Sequence, residues 1–323
     1  VESSLSIKPI LRAVFFTVKV AVGSTLIAIV IGVPTSFFVA NRRFVGKKLL
    51  KIMSAVPLCI PSLLIALGFV IVFGMNGSLN RFVKYIFGLD KAPITFLYSF
   101  WGIIIAQGFY NFPLIMRTVS DSWVQLPQEE ANAARLLGAG EGRVFRTVTM
   151  YQLFPSIASS SILVFLFCFF SFIIVLLFGS VGGTTLEVAI YQSARNTLDF
   201  RTAAVLALIE TSVAILIIVC YSKLENKSSR VVGLKSETGE HENTLVGRGA
   251  WQQLQKNHPK INYGEIIGFC VLGTVIVFCF FIPLFSIFVN AFLLKTGHEV
   301  AAVFSLQNFT MLFGRESFRL SLV

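Results

Sequence analysis

Gln125-Leu126-Pro127-Gln128-Glu129-Glu130-Ala131-Asn132-Ala133-Ala134-Arg135-Leu136-Leu137-Gly138-Ala139-Gly140 is the one long polar, helix-prone stretch between strongly apolar blocks in the first two thirds of the chain. Pro127 suits a first helical turn, and Glu129 and Glu130 follow where the helix dipole favours negative charge. Ala131, Ala133, Ala134, Leu136 and Leu137 are good helix formers, and Gly138 and Gly140 can end the helix and turn the chain. A second short helix can start near Glu141, with Val144, Phe145 and Val148 as its apolar face. Neither helix is long or apolar enough to cross a bilayer. The expected element is a helix, a glycine turn and a second helix lying along a membrane surface, with apolar residues available to dock.

The rest of the chain has membrane composition. Of 323 residues 55% are hydrophobic and 13% charged, with a mean hydropathy of +0.79. A globular domain carries about 25% charged residues. Phenylalanine occupies 33 positions. The net charge of +11 would suit nucleic acid, but the basic residues sit in short clusters beside apolar blocks. That placement reads as a topology signal, and no nucleic-acid partner is expected. The five cysteines lie in or beside apolar blocks without CxxC spacing, and His241, His258 and His298 are scattered. Neither a metal site nor a disulfide framework is indicated.

Six apolar blocks are each comparable with the ~20 residues needed to span the hydrocarbon core. They cover 14–40, 52–73, 94–116, 153–178, 202–221 and 266–294. The expected fold is therefore all-α, a polytopic transmembrane bundle of about six spans. Lys19 and Pro34 fall near the ends of the first block, where a lysine can snorkel and a proline is tolerated. Pro57 and Pro61 mark the start of the second. Residues 179–201 read as a Gly/Thr-rich loop. Residues 222–264 carry alternating Lys, Arg, Glu, Asn, Ser and Gly with no sustained apolar face, so they read as a mobile polar linker.

Basic residues alternate between the loops. Residues 41–51 are strongly basic, the loop between the third and fourth blocks (the organising loop, built around 125–140) holds Arg117, Arg135, Arg143 and Arg146, and the linker holds seven Lys and Arg. The intervening loops hold only Arg81, Lys84 and Lys91, then Arg195 and Arg201, then Lys295 and Arg315. The positive-inside rule puts the organising loop and the linker inside and Val1 outside. Phe318-Arg319-Leu320-Ser321-Leu322-Val323 resembles Ile10-Leu11-Arg12-Ala13-Val14-Phe15 as a weak internal repeat. By that register, 1–222 is a first half lacking its first helix, 223–264 a cytoplasmic linker, and 265–323 the start of a second half.

The organising stretch resembles the cytoplasmic coupling loop of bacterial ATP-binding-cassette importer permeases of the type I kind. That signature is Glu-Ala-Ala, three residues, Gly, then a later Ile/Val–Leu-Pro. Aligned on Gly138, Ala133 and Ala134 match the two alanines. Asn132 stands where the glutamate is expected, with Glu129 and Glu130 just upstream. Val148-Thr149-Met150-Tyr151 stands where Val-Thr-Leu-Pro is usual. The resemblance implies that Glu129, Glu130, Asn132, Ala133, Ala134, Gly138, Val144 and Phe145 contact ABC ATPase subunits, which form a homodimer. It also implies a solute-binding protein, a multi-pass location in the bacterial inner membrane among its lipids, and no cofactor. Some permeases of this family fuse two halves, as the internal repeat would require. Residues 182–192 and 199–204 resemble an outside loop of thiamine-type permeases; fused ferric-iron permeases are the rival.

Nothing in the sequence points to chemistry on this chain. Gly46-Lys47-Lys48 lacks the upstream glycine and the Ser/Thr of a phosphate-binding loop, and an importer permease would take its energy from separate ATPase subunits. An intramembrane enzyme would want a nucleophile–base set that the apolar blocks do not contain. An ion-coupled secondary transporter would want several ionisable groups at depth, where only Glu210 and Lys19 stand. A non-transporting scaffold has no use for the coupling pattern. Glu210 reads either as a residue of the translocation path or as a packing glutamate. Gln107, Tyr110 and Asn111 fall within one turn of the third block and read either as path residues or as interhelical glue.

Overall fold

The computed structural model describes residues 7–42, 44, 46–53, 55, 59–179, 183–236, 263–295 and 302–314. Its helices are α1 (Ile7–Asn41), α2 (Lys47–Met53), α3 (Ser62–Phe73), α4 (Ser78–Phe87) and α5 (Phe100–Val124). α6 (Glu129–Leu136) and α7 (Glu141–Phe169) follow, the latter passing through a π-turn at Phe145–Thr149. α8 (Ile173–Phe178), α9 (Leu186–Tyr191) with a π-turn at Gln192–Asn196, and α10 (Phe200–Ser236) come next. α11 (Tyr263–Ile276) continues through a π-turn into α12 (Ile282–Ala291). β1 (Leu293–Lys295) pairs antiparallel with β2 (Ala302–Phe304), and α13 is Gln307–Gly314.

Five runs are long and apolar enough to cross a membrane by length and composition: Lys8–Asn41, Ser62–Phe87, Glu141–Phe169, Phe200–Val219 and Ile266–Ala291. α5 is long enough as well, at 25 residues. Its apolar character is diluted by Gln107, Asn111, Arg117 and Asp121, and it is the most enclosed helix of the bundle. The all-α polytopic architecture is as expected; the short β1–β2 ladder is an addition to it.

α1 and α5 run side by side in the same direction. Phe16 meets Phe100, Ser24 meets Gln107, and Phe37 meets Trp123. Glycines permit the close approach: a Cβ on Gly108 would come within 2.6 Å of Ile27 and 3.1 Å of the Ser24 carbonyl oxygen. A Cβ on Gly32 would come within 2.9 Å of Ile115 and 3.1 Å of the Phe112 carbonyl oxygen. Small residues at helix crossings are the means by which membrane helices gain packing when lipid is as apolar as the partner. α7 lies against both helices. On the outward faces Leu11, Phe15, Val22, Leu26 and Val30 of α1, and Leu208, Ile215 and Leu216 of α10, are exposed, as lipid-facing residues should be.

The last span packs on the second. A Cβ on Gly68 of α3 would come within 2.5 Å of the Pro283 carbonyl oxygen of α12. Phe73 meets Phe278, and Phe112 of α5 meets Phe280.

Several boundaries depart from the apolar blocks. α3 starts at Ser62, directly after Pro61, instead of at Ile52; Ile52 belongs to α2. The X–Pro restriction on the preceding residue is the physical reason. α5 starts at Phe100 because Ser99 caps it, its Oγ accepting from the Gly102 amide at 3.3 Å, and it runs on to Val124 through polar residues. α10 does not stop at Tyr221 but continues as helix to Ser236, through residues read as linker. No proline interrupts that run, and its Lys, Glu and Arg are good helix formers. The remainder of the expected linker, 237–262, lies outside the described residues.

Candidate functional site

The stretch from 125 to 149 is built as two helices across one capped turn. α6 begins with Glu129 and Glu130 in its first turn and closes at Gly138, whose φ is +83°. The Gly138 amide donates to the Arg135 carbonyl at 2.9 Å and the Ala139 amide to the Ala134 carbonyl at 3.0 Å. This is the Schellman pairing, in which a left-handed residue lets two amides satisfy the last helical carbonyls. Arg135 then clasps Glu141 at the start of α7, Nε to Oε1 at 2.7 Å and Nη2 to Oε2 at 3.1 Å. The same guanidinium donates to Asn132 Oδ1 at 2.9 Å. The hydrogen bonding of Arg135 to Glu141 itself holds the Glu141 carboxyl below the usual carboxylate range.

The second helix is no separate piece. It runs through a π-turn into a membrane-length helix ending at Phe169. Val144 is buried beneath the loop, and Phe145 stacks on Trp123 of α5 with ring centroids 5.9 Å apart. Ala131 is buried too, and Gln152 Nε2 donates to Glu130 Oε2 at 2.6 Å, tying α6 to α7. Glu129, Glu130, Asn132, Ala133 and Gly138 are exposed, and Ala134 is half-buried.

The most exposed apolar residues of the loop are Leu136 and Leu137, at 89% and 90%. Their place in the sequence suggested helix formers only; two leucines immediately before the terminating glycine are the signal that marks them as the tip. Ala131 and Val144 face inward and Leu136 and Leu137 outward, so the helical pair has a bundle side and a free side.

The polar residues at membrane depth fall into three places. Gln107 is fully buried between α1 and α5, with its Oε1 accepting from Ser24 Oγ at 2.9 Å. Asn111 Nδ2 donates to the Gln107 carbonyl at 3.0 Å and to Cys168 Sγ of α7 at 3.4 Å. These groups join α1, α5 and α7 in one polar seam. Tyr110 points elsewhere: its hydroxyl donates to the Ile60 carbonyl at 3.2 Å, just before α3. Irregular backbone at depth needs such a partner because no water or lipid group supplies one. Glu210 lies apart from Gln107, Asn111 and Tyr110, on the buried face of α10 with Ala203, Leu206 and Ala214.

The 183–199 stretch also differs from the loop expected of it. It forms α9 and a π-turn packed along α10, with the Leu186 amide donating to Thr17 Oγ1 of α1 at 2.9 Å.

The chain resembles known transport proteins in sequence and in fold. It is 34% identical over 210 residues, 64% of this chain and 38% of the relative, to the thiamine transport system permease protein ThiP of Brucella abortus (strain 2308). It is 30% identical over 202 residues to the putative 2-aminoethylphosphonate transport system permease protein PhnU of Salmonella typhi, covering 62% of this chain and 70% of that one. The match thus spans 38% of the length of the thiamine relative. Two solved structures share the fold. The MetNI methionine ABC transporter in inward-facing conformations gives a TM-score of 0.50 at 18% identity, over 70% of this chain and 99% of that one. A bacterial alginate ABC transporter, in complex with an alginate-bound periplasmic protein, gives 0.54 at 15% identity, over 67% and 78%. The family model described as binding-protein-dependent transport system inner membrane component matches residues 32–226, well over half of this multi-pass membrane chain. The chain belongs to that family of inner-membrane transport components.

Proposed function

We propose that this chain is the membrane-spanning permease of an ATP-driven importer, and that the α6–α7 element receives the motion of a separate pair of ATPase subunits. The observation that carries this reading is the pairing of an exposed apolar tip, Leu136 and Leu137, with a base fixed to the bundle through Glu130–Gln152, Val144 and Phe145–Trp123. A floppy loop would absorb motion. This one continues directly into α7, so displacement of the tip displaces a membrane helix. Glu129, Asn132, Ala133, Ala134 and Gly138 form the face offered to the ATPase. A solute-binding protein delivers the solute on the opposite side. Residues 1–222 act within one permease half, 223–264 as a cytoplasmic connection and 265–323 within a second half.

Thiamine is the favoured solute, supported by the thiamine-type pattern at 182–192 and the 34% identical relative. A 2-aminoethylphosphonate-like solute is the second reading, supported by the 30% identical relative. No observation above favours ferric iron over these two. The test is reconstitution of the full protein with its ATPase and binding protein in proteoliposomes. ATP-dependent accumulation of radiolabelled thiamine, in excess of labelled 2-aminoethylphosphonate, is expected; ATP-independent or absent accumulation of both would overturn the importer reading.

A further inference from the structure

Glu210 is only 5% exposed, and its Oε1 has no hydrogen-bond partner. Its neighbours on the buried face of α10 are Ala203, Leu206 and Ala214, which offer it nothing. Across from it stands α9. That helix begins deep, with the Leu186 amide on Thr17 Oγ1 and Gly183 so near Phe16 that a Cβ would come within 2.6 Å of the ring. Thr17 lies ~15 Å along α1 from its first residue, at 1.5 Å per residue. α9 and its π-turn then lead to a turn at 197–199, where Asp199 caps α10 by accepting from the Thr202 amide at 3.1 Å and the Thr202 hydroxyl at 2.6 Å.

The two arms make a helical hairpin that dips into the bundle from the side opposite the α6–α7 turn. Its arms match in length. Glu187 stands ten residues before Thr197 and Glu210 eleven after Asp199, which puts both carboxylates at the deep end. They stand on the two arms of that hairpin, α9 packed along α10. Thr185, two residues before Glu187, is buried with its own hydroxyl unpartnered. Among the described residues neither carboxylate has an ion pair.

Two carboxylates on the packed arms of one hairpin at membrane depth are costly, and a positive charge between them relieves both the repulsion and the lost solvation. We propose that Glu187 and Glu210 form a transit site for a cationic nitrogen of the transported solute. This rests on the importer reading above. Both solutes named there carry such a group, the thiazolium of thiamine and the ammonium of 2-aminoethylphosphonate. A glutamate kept for packing alone would have no need of a second carboxylate at the same depth on the neighbouring arm.

The test uses the complete transporter in proteoliposomes, with co-purification of the ATPase as the check on assembly. Glu210→Gln and Glu187→Gln keep size and hydrogen-bonding capacity but remove charge, and each should lower thiamine uptake about 10-fold, while Glu210→Asp retains most of it. A second measurement does not depend on the solute. In a background with the five native cysteines replaced, Glu210→Cys should react with a trimethylammonium methanethiosulfonate roughly 10-fold faster than with the sulfonate reagent, the lower end of focusing by one sign of charge. Adding Glu187→Gln should erase that preference. Wild-type uptake by both Gln variants, equal rates with the two reagents, or no reaction with either would overturn the proposal. If the unaltered transporter moves neither solute but the cationic preference persists, the solute reading fails and the cation site stands.

Discussion

Arg135 and Glu141 hold each other by two parallel hydrogen bonds across the Gly138 turn, at 2.7 and 3.1 Å. Such bidentate pairing fixes orientation as well as distance. Both side chains are largely in water, so its worth is geometric more than energetic. The Glu141 carboxyl lies below its usual range in the folded protein, chiefly through the Arg135 hydrogen bond. A group shifted in this direction contributes fully above its unfolded value, near ~4.3, and the contribution is lost as pH falls through the lowered folded value. Hydrogen exchange of the Leu137–Ala139 amides, corrected for intrinsic rate, should therefore show protection at neutral pH that decays below the ordinary carboxylate range. Glu141→Gln should show the weaker protection at every pH. A pH-independent pattern in the unaltered protein would remove the clasp from the account.

Gly138 sits at φ +83° with nothing near the place a Cβ would occupy. The objection to a side chain there is therefore conformational: about 1–2 kcal/mol for leaving glycine in the left-handed region. Gly138→Val should shift the turn, lower uptake severely and weaken ATPase co-purification, while membrane insertion and protein level stay near normal. Normal transport by this variant would show that the turn is not the coupling element.

The α1–α5 seam makes a sharper packing prediction. Gly108→Val would press a side chain onto Ile27 and the Ser24 carbonyl, and the backbone oxygen cannot move aside alone. Overpacking of this kind costs about 1–3 kcal/mol. Ser24→Ala removes one interhelical hydrogen bond and should cost only about 0.6 kcal/mol, the average measured for such bonds between membrane helices. Detergent unfolding of both variants should rank them in that order; the reverse would place the strength of the seam in its polar contacts.

Much of this was legible in the sequence, and the limits are physical. The number and type of spans follow from composition, because lipid demands long apolar helices whatever their neighbours. The glycine turn at Gly138 follows from local chemistry. Where spans end does not: α5 starts at Phe100 because Ser99 caps it, and α10 outlasts its apolar run because nothing in the charged continuation breaks a helix. Depth leaves the weakest trace in the sequence. Residues 183–196 are polar enough to pass for a surface loop, and the Thr17–Leu186 hydrogen bond and the close approach of Gly183 to Phe16 show that they are carried into the bundle. Spacing singles out Gln107 and Asn111, but their partners, Ser24 and Cys168, lie on other helices that no local pattern connects.

Thr17 gives that hydrogen bond a direct test. Thr17→Val keeps the shape and leaves the Leu186 amide buried without an acceptor, at a cost of about 1–3 kcal/mol. Thr17→Ser should restore most of it. Thermal unfolding of the three proteins, with protease sensitivity at 183–199 as the local readout, would reveal no difference if the segment were held by other contacts.

The contact of Gly68 with Pro283 sets an order of events during synthesis. The α3 surface that Pro283 covers is complete long before α12 leaves the ribosome. At ~5–20 residues per second the interval is on the order of tens of seconds. Through that time lipid chains must fill the notch at Gly68, a tolerable stand-in because hydrocarbon is as apolar as the helix that replaces it. The second span is therefore inserted early and finished late, and the glycine that makes the final fit possible is also what opens the notch its temporary occupant fills.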